Sequence, residues 1–201
     1  MSNARTHPVL LINDAAPFPP PETAMRNPNG LLAMGGQLSV DRLISAYQQG
    51  IFPWYSETDP ICWWSPDPRM VLFLDELKIS RSLRKILKQN RFNCTYDQNF
   101  TAVIQACALP RQHETETWIT AEMMDAYIQL HQAGYAHSVE VWQDHRLVGG
   151  LYGVGMPPVF SGESMFSFVS NASKIALVYL VQLLKKQHYQ LIDCQMYTAH
   201  L

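Results

Sequence analysis

The sequence predicts an α+β fold, because helical and strand-like periodicities occupy different parts of one chain. Apolar residues at helical spacing recur in several segments before residue 134, whereas strand patterns dominate from Ser138 onward. Of the 201 residues, 47% are hydrophobic and 16% are charged, so the chain can bury a sizeable core as one domain or as two small ones. We expect a mostly helical first part and an α+β second part, with a boundary near residues 65–75.

Each element follows from its periodicity and its end signals. Residues 1–30 carry six prolines and predict an irregular lead-in. Ser39 and Ser80 are suitable N-cap residues, and Gly50 and Gly134 follow the last periodic residues of two helices. The predicted helices are residues 38–49, 80–89, 100–108, 121–133 and 171–187. The predicted strands are residues 70–74, 138–143, 147–154, 159–161 and 189–195, with a hairpin turn at Asp144-His145.

Composition excludes several classes of protein. No apolar run approaches the roughly 20 residues that span a bilayer, and the N-terminus has no targeting signal, so we expect no membrane partner. The four cysteines are scattered without ligand spacing, which favours buried thiols in a reducing cytoplasm over disulfides or a metal site. The net charge of −2 gives no global attraction to nucleic acid, so a polyanion would need a local basic patch.

An acid and an amide stand close together in the last predicted strand. Successive side chains of a strand point to opposite faces, so Asp193 and Gln195 should project from one face and Cys194 from the other. A buried carboxylate is costly unless it is hydrogen-bonded, which favours a functional pair. A polar pair at a strand end, satisfied by backbone groups, fits the spacing equally well.

Four tryptophans, Trp54, Trp63, Trp64 and Trp118, are predicted in or beside loops, away from periodic core stripes. Aromatic side chains on loops can stack on a nucleobase, which is worth roughly 1–3 kcal/mol per base. For any single tryptophan, filling a gap between domains is the more common role.

A basic stripe is predicted on the helix that begins after Ser80. Its members are Arg81, Arg84, Lys85 and Lys88. They recur at three- and four-residue spacing opposite Leu83 and its apolar neighbours, without an acidic partner at those spacings. Phosphates are suitable ligands for such a stripe, and binding through them would weaken with salt. A solvated helix face explains the run about as well.

Glu163 lies among apolar and small residues before the long predicted helix. A carboxylate there suits a cationic amino group or proton transfer, and its alternative role is to fix the loop by hydrogen bonds. The helix start at Asn171 would offer free backbone N–H groups and a positive dipole end. We predict structural roles for His131 and His137.

Together these segments resemble the bacterial leucyl/phenylalanyl-tRNA-protein transferases, from about residue 18 to the end of the sequence. The matching stretches, in order, are residues 30–36 (GLLAMGG), 46–54 (AYQQGIFPW), 63–69 (WWSPDPR), 117–120 (TWIT), 136–140 (AHSVE), 147–154 (LVGGLYGV), 162–166 (GESMF), 171–174 (NASK), 193–195 (DCQ) and 200–201 (HL). Their number and order make the resemblance far more specific than any single motif.

The resemblance implies an enzyme that moves leucine or phenylalanine from aminoacyl-tRNA to proteins with N-terminal arginine or lysine, marking them for degradation by the N-end rule. It implies no metal and no organic cofactor. It implies a small N-terminal domain, residues 1–68, beside a GNAT-like acyltransferase domain, residues 69–201, whose mixed sheet is flanked by helices. Family members continue beyond the equivalent of Leu201, so the chain is expected to lack their C-terminal tail.

The resemblance also implies roles for residues. Trp54 and Trp118 would hold the terminal adenosine of the tRNA. Asp193 would polarise Gln195, whose carbonyl oxygen would accept a hydrogen bond from the attacking amine, with Glu163 nearby. The pocket for the leucine or phenylalanine side chain would be lined by Leu151, Phe160, Leu177 and Leu180. The phosphates of the acceptor stem would meet Arg81, Arg84, Lys85 and Lys88.

Two other functions remain open on the residues alone. An acyl-CoA-dependent N-acetyltransferase would share the fold of the second part, but residues 171–174 replace the glycine-rich loop that cradles a pyrophosphate. A non-catalytic RNA-binding module would use the tryptophans and the basic stripe without needing Asp193, Gln195 or Glu163.

Overall fold

A computed structural model describes residues 6–11, 13, 16–110 and 117–197. The chain separates into two compact units. The first unit comprises the described residues of Met1–Met70, Pro110–Ala133 and Gln195–Leu201, and the second comprises Val71–Leu109 and Gly134–Cys194.

The described residues form an α+β fold, as the sequence predicts. In chain order, the strands are β1 Val9–Leu11, β2 Leu31–Gly35, β3 Phe52–Pro53, β4 Cys62–Trp64, β5 Met70–Phe73, β6 Asn93–Tyr96, β7 Ala136–Gln143, β8 Arg146–Met156, β9 Val159–Ser167 and β10 Leu191–Gln195. The helices are α1 Val40–Gln48, α2 Arg81–Leu87, α3 Phe100–Cys107, α4 Ala121–Gln132 and α5 Ala172–Lys186.

The first unit contains a four-stranded mixed sheet in the order β1-β2-β4-β3. β1 runs parallel to β2, and the other neighbours are antiparallel. The prediction of a mostly helical first part is therefore wrong, and so is that of an irregular lead-in, because β1 and a 3-10 turn at Pro21–Thr23 lie within residues 1–30. These strands have two to five residues each, too few to show a period of two.

Trp63 and Trp64 lie in β4 and not in a loop, which corrects their predicted position. The Trp63 side chain is fully buried, its Nε1 donates to the Gly35 carbonyl at 2.9 Å, and its ring packs edge-on against Phe18. Trp63 is thus part of the core of the first unit and is not available to stack on a base.

The predicted helix over residues 38–49 is confirmed as α1. The Ser39 hydroxyl accepts from the Arg42 amide at 3.3 Å, as expected of an N-cap residue. The helix ends before Gly50, which has a φ of +71° that glycine adopts without strain.

The second unit contains a six-stranded mixed sheet in the order β5-β10-β9-β8-β7-β6. β9 and β10 are parallel, whereas β6 to β9 form antiparallel neighbours. The predicted hairpin is confirmed as β7 and β8, joined at Asp144 and His145, whose φ angles of 49° and 61° are those of a tight two-residue turn. β6 was not predicted from the sequence.

The helices α5 and α3 cover opposite faces of this sheet. Two adjacent glycines of β8, Gly149 and Gly150, allow these helices to pack close to the strand. A Cβ on Gly149 would lie 2.4 Å from the Ala172 Cβ of α5, and one on Gly150 would lie 3.4 Å from a methyl group of Val103 in α3. Side chains at adjacent strand positions face opposite ways, so α5 and α3 lie on the two faces. None of the described helices is long and apolar enough to cross a membrane.

Candidate functional site

Asp193 lies in β10 of the second unit, and its side chain is only 7% exposed. β10 pairs with β9 in parallel, from Leu191 opposite Val159 to Asp193 opposite Ser161. Both strands continue beyond this point, β9 to Ser167 and β10 to Gln195. Asp193 therefore stands at the last register pair of the two parallel strands, and its buried carboxylate lies at the point where their pairing ends.

Glu163 occupies an irregularity in the neighbouring strand. In the antiparallel pairing of β8 with β9, Gly153 faces Gly162 while Tyr152 faces Ser164, so Glu163 is an additional residue without a partner position in β8. Such a β-bulge bends a strand and redirects a side chain, and bulges are frequent beside active sites. Glu163 is partly buried and lies two residues beyond Ser161, the register partner of Asp193.

Tyr152 is next to this bulge and was not singled out in the sequence. Its side chain is fully buried, and burial together with the negative charge of Glu163 raises the pKa of its hydroxyl well above the ordinary value. The Oγ of Ser164 is also buried and has no hydrogen-bond partner among the described residues. A polar aromatic residue in the glycine-rich run 149–155 is the signal that could have drawn attention to this position.

Gln195 ends β10 with a φ of 63°, in the left-handed region. The alternation of side chains between the two faces of the strand therefore stops at Gln195. The prediction that Asp193 and Gln195 project from one face does not follow for this conformation. A left-handed conformation costs a non-glycine residue roughly 1–2 kcal/mol, and such outliers gather at functional positions.

Cys194, between these two residues, is not a nucleophile at neutral pH. Burial, and secondarily the charge of Asp193, raise the pKa of its thiol to about 11. The thiolate is the reactive form, and only about one part in ten thousand of Cys194 is ionised at pH 7. The candidate reactive groups at this strand end are therefore the Asp193 carboxylate and the Gln195 amide.

The four residues that the resemblance assigns to the side-chain pocket lie together. Leu151 in β8, Phe160 in β9 and Leu180 in α5 belong to one buried apolar cluster, and Leu177 packs against it. Leu151, Phe160 and Leu180 are 4%, 1% and 2% exposed, whereas Leu177 is only partly buried. The first three are therefore core residues, and Leu177 is the most accessible of the four.

The N-terminus of α5 does not offer the free backbone donors that the sequence suggested. Asn171 is left-handed with a φ of 70°, and the Ala172 amide donates to the Val169 carbonyl at 3.1 Å. The Ser173 amide donates to the Ser167 hydroxyl at 3.3 Å. Since two of the first amides are already engaged, the expectation of an open anion site at this helix start is wrong.

The basic stripe is exposed to solvent, as predicted. Ser80 caps α2 by accepting from the Leu83 amide at 3.2 Å, and Leu83 faces the core with 7% exposure. The four cationic residues Arg81, Arg84, Lys85 and Lys88 are exposed. They form one solvent-facing surface on the second unit.

In the first unit, the segments that carry Trp54 and Trp118 meet. Tyr55, which follows Trp54, donates from its hydroxyl to Glu122 at 3.3 Å and also hydrogen-bonds Thr120, two residues after Trp118. Burial raises the pKa of Tyr55 to about 12, so this contact persists at neutral pH. Trp54 is 38% exposed, which leaves ring surface for a planar ligand.

Trp54 is also held from its other side. The ring of Trp64 lies 5.5 Å from that of Trp54 at an angle of 62°, and its Nε1 donates to the Trp54 carbonyl at 2.7 Å. A further contact links α1 to α4 through a hydrogen bond between the buried hydroxyls of Tyr47 and Tyr127. No sequence pattern singled out these tyrosines, because their partners are distant in the chain.

Comparison with known proteins identifies the relationship of this chain. The family model described as "Leucyl/phenylalanyl-tRNA protein transferase" matches residues 71–201, and that of its N-terminal domain matches residues 36–67. The chain belongs to the leucyl/phenylalanyl-tRNA-protein transferase family. A family member from Nitrosomonas eutropha is 64% identical over 185 residues, covering 92% of this chain and 79% of that protein.

Other members of the transferase family are nearly as similar. One from Pseudomonas fluorescens is 61% identical over 92% of this chain and 81% of that protein, and one from Methylococcus capsulatus is 58% identical over 92% and 78%. A solved structure with a similar chain is much less similar in sequence. It is titled "The structure of L-PGS from Bacillus licheniformis" and has a TM-score of 0.47 and 12% identity, covering 84% of this chain and 54% of that chain.

The residues for which the sequence resemblance implies roles belong to both units. Trp54 and Trp118 belong to the first unit, and Glu163 and Asp193 belong to the second. Gln195 is the first residue of the returning segment of the first unit. The family stretch at residues 200–201 lies outside the described residues.

His137 forms an ordinary structural contact in this transferase. Its Nδ1 lies 2.7 Å from an Asp97 carboxylate oxygen, and its ring stacks on Tyr96. The other oxygen of Asp97 accepts from the Ser138 amide at 2.7 Å. The pair joins β6 to β7, in keeping with the structural role predicted for His137.

Proposed function

We infer that this chain is an aminoacyltransferase that moves leucine or phenylalanine from an aminoacyl-tRNA to a protein. The observation that carries the inference is family membership over both units, with 64% identity across 92% of the chain. The acceptor is the α-amino group of a protein that begins with arginine or lysine, and the product is marked for degradation by the N-end rule. The protein works in the cytoplasm without a metal or a cofactor.

The reaction needs positioning more than activation. The ester carbonyl of aminoacyl-tRNA is already electrophilic, and the neutral α-amine of the acceptor attacks it. A peptide bond forms, the ester C–O bond breaks, and the proton lost by the amine passes to the departing ribose oxygen. Holding the amine and the ester in one orientation supplies much of the rate, and a proton acceptor supplies more.

Asp193 and Gln195 are the groups that we assign to the attacking amine. A buried carboxylate polarises a neighbouring amide, and the amide oxygen accepts from the amine N–H as the bond forms. The 7% exposure of Asp193 supports this role, because charge interactions are stronger away from water. Glu163 in the bulge of β9 is assigned to the cationic group of a substrate or to proton transfer.

The donor is recognised at three places in this proposal. Trp54 and Trp118 hold the terminal adenosine, which the exposed ring of Trp54 and the meeting of the two segments support. The cluster formed by Leu151, Phe160, Leu177 and Leu180 receives the apolar side chain. The stripe formed by Arg81, Arg84, Lys85 and Lys88 meets phosphates of the acceptor stem, and its exposure supports this role.

We further propose that residues 69–201 form a GNAT-like acyltransferase domain and residues 1–68 a smaller N-terminal domain. The parallel pair β9 and β10 supports the GNAT-like assignment, because its pairing stops after Ser161 and Asp193 while both strands continue. We propose that the acyl group binds where this parallel pairing ends, between the second and third strands of the sheet.

The test is transfer of labelled leucine or phenylalanine from charged tRNA to a peptide that begins with arginine. The same peptide with an acetylated N-terminus is the control and should receive nothing. Failure to label the free peptide, with tRNA binding intact, would overturn the assignment in favour of an RNA-binding module. Turnover of acyl-CoA would indicate an acetyltransferase instead.

Gln195→Ala should mainly lower kcat, by about 10²- to 10⁴-fold if the amide takes part in proton movement, with little change in KM for charged tRNA. Gln190→Ala is the matched control, because Gln190 is an exposed glutamine just before the same strand. Equal activity of the two variants would refute the role of Gln195.

A further inference from the structure

A cleft of about 810 Å³ lies on the second unit, next in the chain to the basic stripe of α2. The residues that line it include Asn90, Arg91, Asn93, Gln98, Trp142 and His145. The cleft has the volume of a small-molecule site, and its lining combines the Trp142 ring, the Arg91 cation, several amide groups and one carboxylate, Asp144. None of these residues has a role in the function proposed above.

Trp142 is held in a fixed orientation at this cleft. Its Nε1 donates to the Thr95 hydroxyl at 2.8 Å, and the Thr95 hydroxyl donates to a carboxylate oxygen of Glu140. The Thr95 hydroxyl has one hydrogen, which it donates to Glu140. The lone pairs of the same oxygen therefore accept from the indole N–H of Trp142. The ring of Trp142 is therefore oriented by two hydrogen bonds in series.

Glu140 anchors this arrangement from the core, since its side chain is 0% exposed. Besides Thr95, its carboxylate accepts from the Ser138 hydroxyl at 2.6 Å and from the amides of Gln98 and Asn99 at 3.4 and 3.3 Å. Four donors therefore surround a charge that would be costly to bury alone. Trp142 is held by this buried hydrogen-bond network. It is therefore preorganised for stacking, because its side chain loses little rotamer freedom on binding.

The cationic surface of α2 continues into the cleft. Lys88 is the C-cap residue of α2, and Asn90 and Arg91 follow it in the chain and line the cleft. At a rise of about 1.5 Å per helical residue, the cations of the last turn lie within roughly 10 Å of Asn90. An RNA strand with phosphates on the stripe can therefore reach the cleft with its next nucleotides.

We propose that this cleft binds an unpaired nucleotide of the tRNA, with the base stacked on Trp142 and the phosphate on Arg91. The amides of Asn90, Asn93 and Gln98 offer donors and acceptors to the base edge, and base stacking on aromatic rings tolerates any base. This inference rests on the proposed transfer from tRNA and adds a site away from the reacting ester.

The first arm of the test measures binding of uncharged tRNA by the full chain and its variants. Trp142→Ala and Arg91→Ala should each weaken binding about tenfold, whereas Trp142→Phe should retain most of the affinity. Lys186→Ala, an exposed cation in the last turn of α5, is the matched control and should change affinity less than twofold. Circular dichroism melts identify any variant that fails to fold, and Gln98→Ala, at an exposed lining residue, then serves in its place.

Salt dependence separates the two contacts. Arg91→Ala should reduce the slope of log affinity against log salt by roughly one, because one phosphate contact is lost, while Trp142→Ala should leave the slope unchanged. Unaltered tRNA affinity in folded Trp142→Ala and Arg91→Ala would overturn the proposal. A raised KM for the acceptor protein with unchanged tRNA binding would overturn it in favour of a protein-binding surface.

The second arm uses the leucyl ester of adenosine as the donor, which has a reacting ester but no further nucleotides. Both cleft variants should use this donor as well as the parent protein does, because the cleft lies outside the reacting centre. A loss of activity with this donor equal to that with charged tRNA would refute a separate subsite. If the parent protein transferred from neither donor, the transferase proposal would fail, and the binding arm would still decide the role of the cleft.

Discussion

Gly153→Ala is the substitution that most directly probes the centre of the second unit. A Cβ at this position would lie 2.2 Å from the Ser161 carbonyl oxygen and 2.4 Å from Cε1 of the Phe160 ring. Both atoms would have to retreat by about 1 Å to restore ordinary van der Waals contact. Ser161 is the register partner of Asp193, and Phe160 is a proposed pocket wall, so one methyl group disturbs both parts of the proposed site.

The expected effects follow from these overlaps. Overpacking of this kind costs about 1–3 kcal/mol, which lowers the Tm of a chain this size by about 2–4 °C for each kcal/mol. Misplacement of a reacting group by about 1 Å can lower activity about 10²-fold. We therefore expect kcat/KM for transfer from charged tRNA to fall between about tenfold and a hundredfold, with an altered ratio of phenylalanine to leucine transfer because the Phe160 ring has moved.

The assay is competitive transfer of the two labelled amino acids to a peptide beginning with arginine, together with a thermal melt. Gly162→Ala is the matched control, since the nearest atom to its added Cβ, a methyl carbon of Ile192, lies at an ordinary 3.5 Å. It should stay within about twofold of the parent in kcat/KM and in the leucine-to-phenylalanine ratio. A folded Gly153→Ala protein with unchanged activity and selectivity would refute the reasoning that couples this strand position to the pocket.

Four further outcomes are expected. Cys194→Ser should keep transfer activity, because the parent thiol stays protonated up to a pKa of about 11, and loss of activity without loss of folding would contradict this. Burial raises the pKa of Tyr55 from its ordinary value of 10.0 to about 12, so between these values the unfolded chain loses the proton and the folded chain keeps it. The free energy of unfolding should therefore fall as pH rises through that interval. The fall should be less steep in Tyr55→Phe when unfolding is measured at each pH. Reversing Arg84 and Lys85 to Glu should abolish tRNA binding most visibly at low salt, and a flat salt response of the parent protein would argue against the stripe. Glu140→Gln replaces a carboxylate that accepts four hydrogen bonds, so denaturant titration should show a loss of about 1–3 kcal/mol, and an unchanged midpoint would contradict the network.

The helices were predictable because their signals are local. Ser39 and Ser80 lie next to the turns that they cap, and apolar spacing marks the buried side of each helix without reference to distant residues. The basic stripe was predictable for the same reason, since helical geometry alone places Arg84 and Lys85 opposite Leu83.

The sheet of the first unit was missed because its pairing is nonlocal. β2 pairs with β4 across some thirty residues of sequence, and β4 has only three residues, so neither strand shows a period of two. Trp63 illustrates the consequence, because the residue type and its proline-rich surroundings are typical of an exposed loop. Contacts that are distant in the chain, among them the Gly35 carbonyl and the Phe18 ring, make it a core residue.

At the proposed site, the sequence supplied the residue types but not the geometry. Asp193 was predicted from the cost of a carboxylate in an apolar strand, and its buried position agrees with that argument. The bulge at Glu163 could not be derived, because a bulge exists only relative to the partner strand. The left-handed turn at Gln195 was hidden too, since glutamine carries no preference for that conformation.

Three departures from a regular sheet fall on the strands β9 and β10. β9 carries an additional residue at Glu163, β10 buries an acid at Asp193, and the chain leaves β10 through a strained Gln195. A left-handed non-glycine residue costs roughly 1–2 kcal/mol, and a buried carboxylate is costly unless other groups hydrogen-bond to it. Strained backbone conformations and departures from local sequence preference often gather at functional sites. These features are the reason, apart from the family relationship, for proposing the end of β10 as the reacting centre.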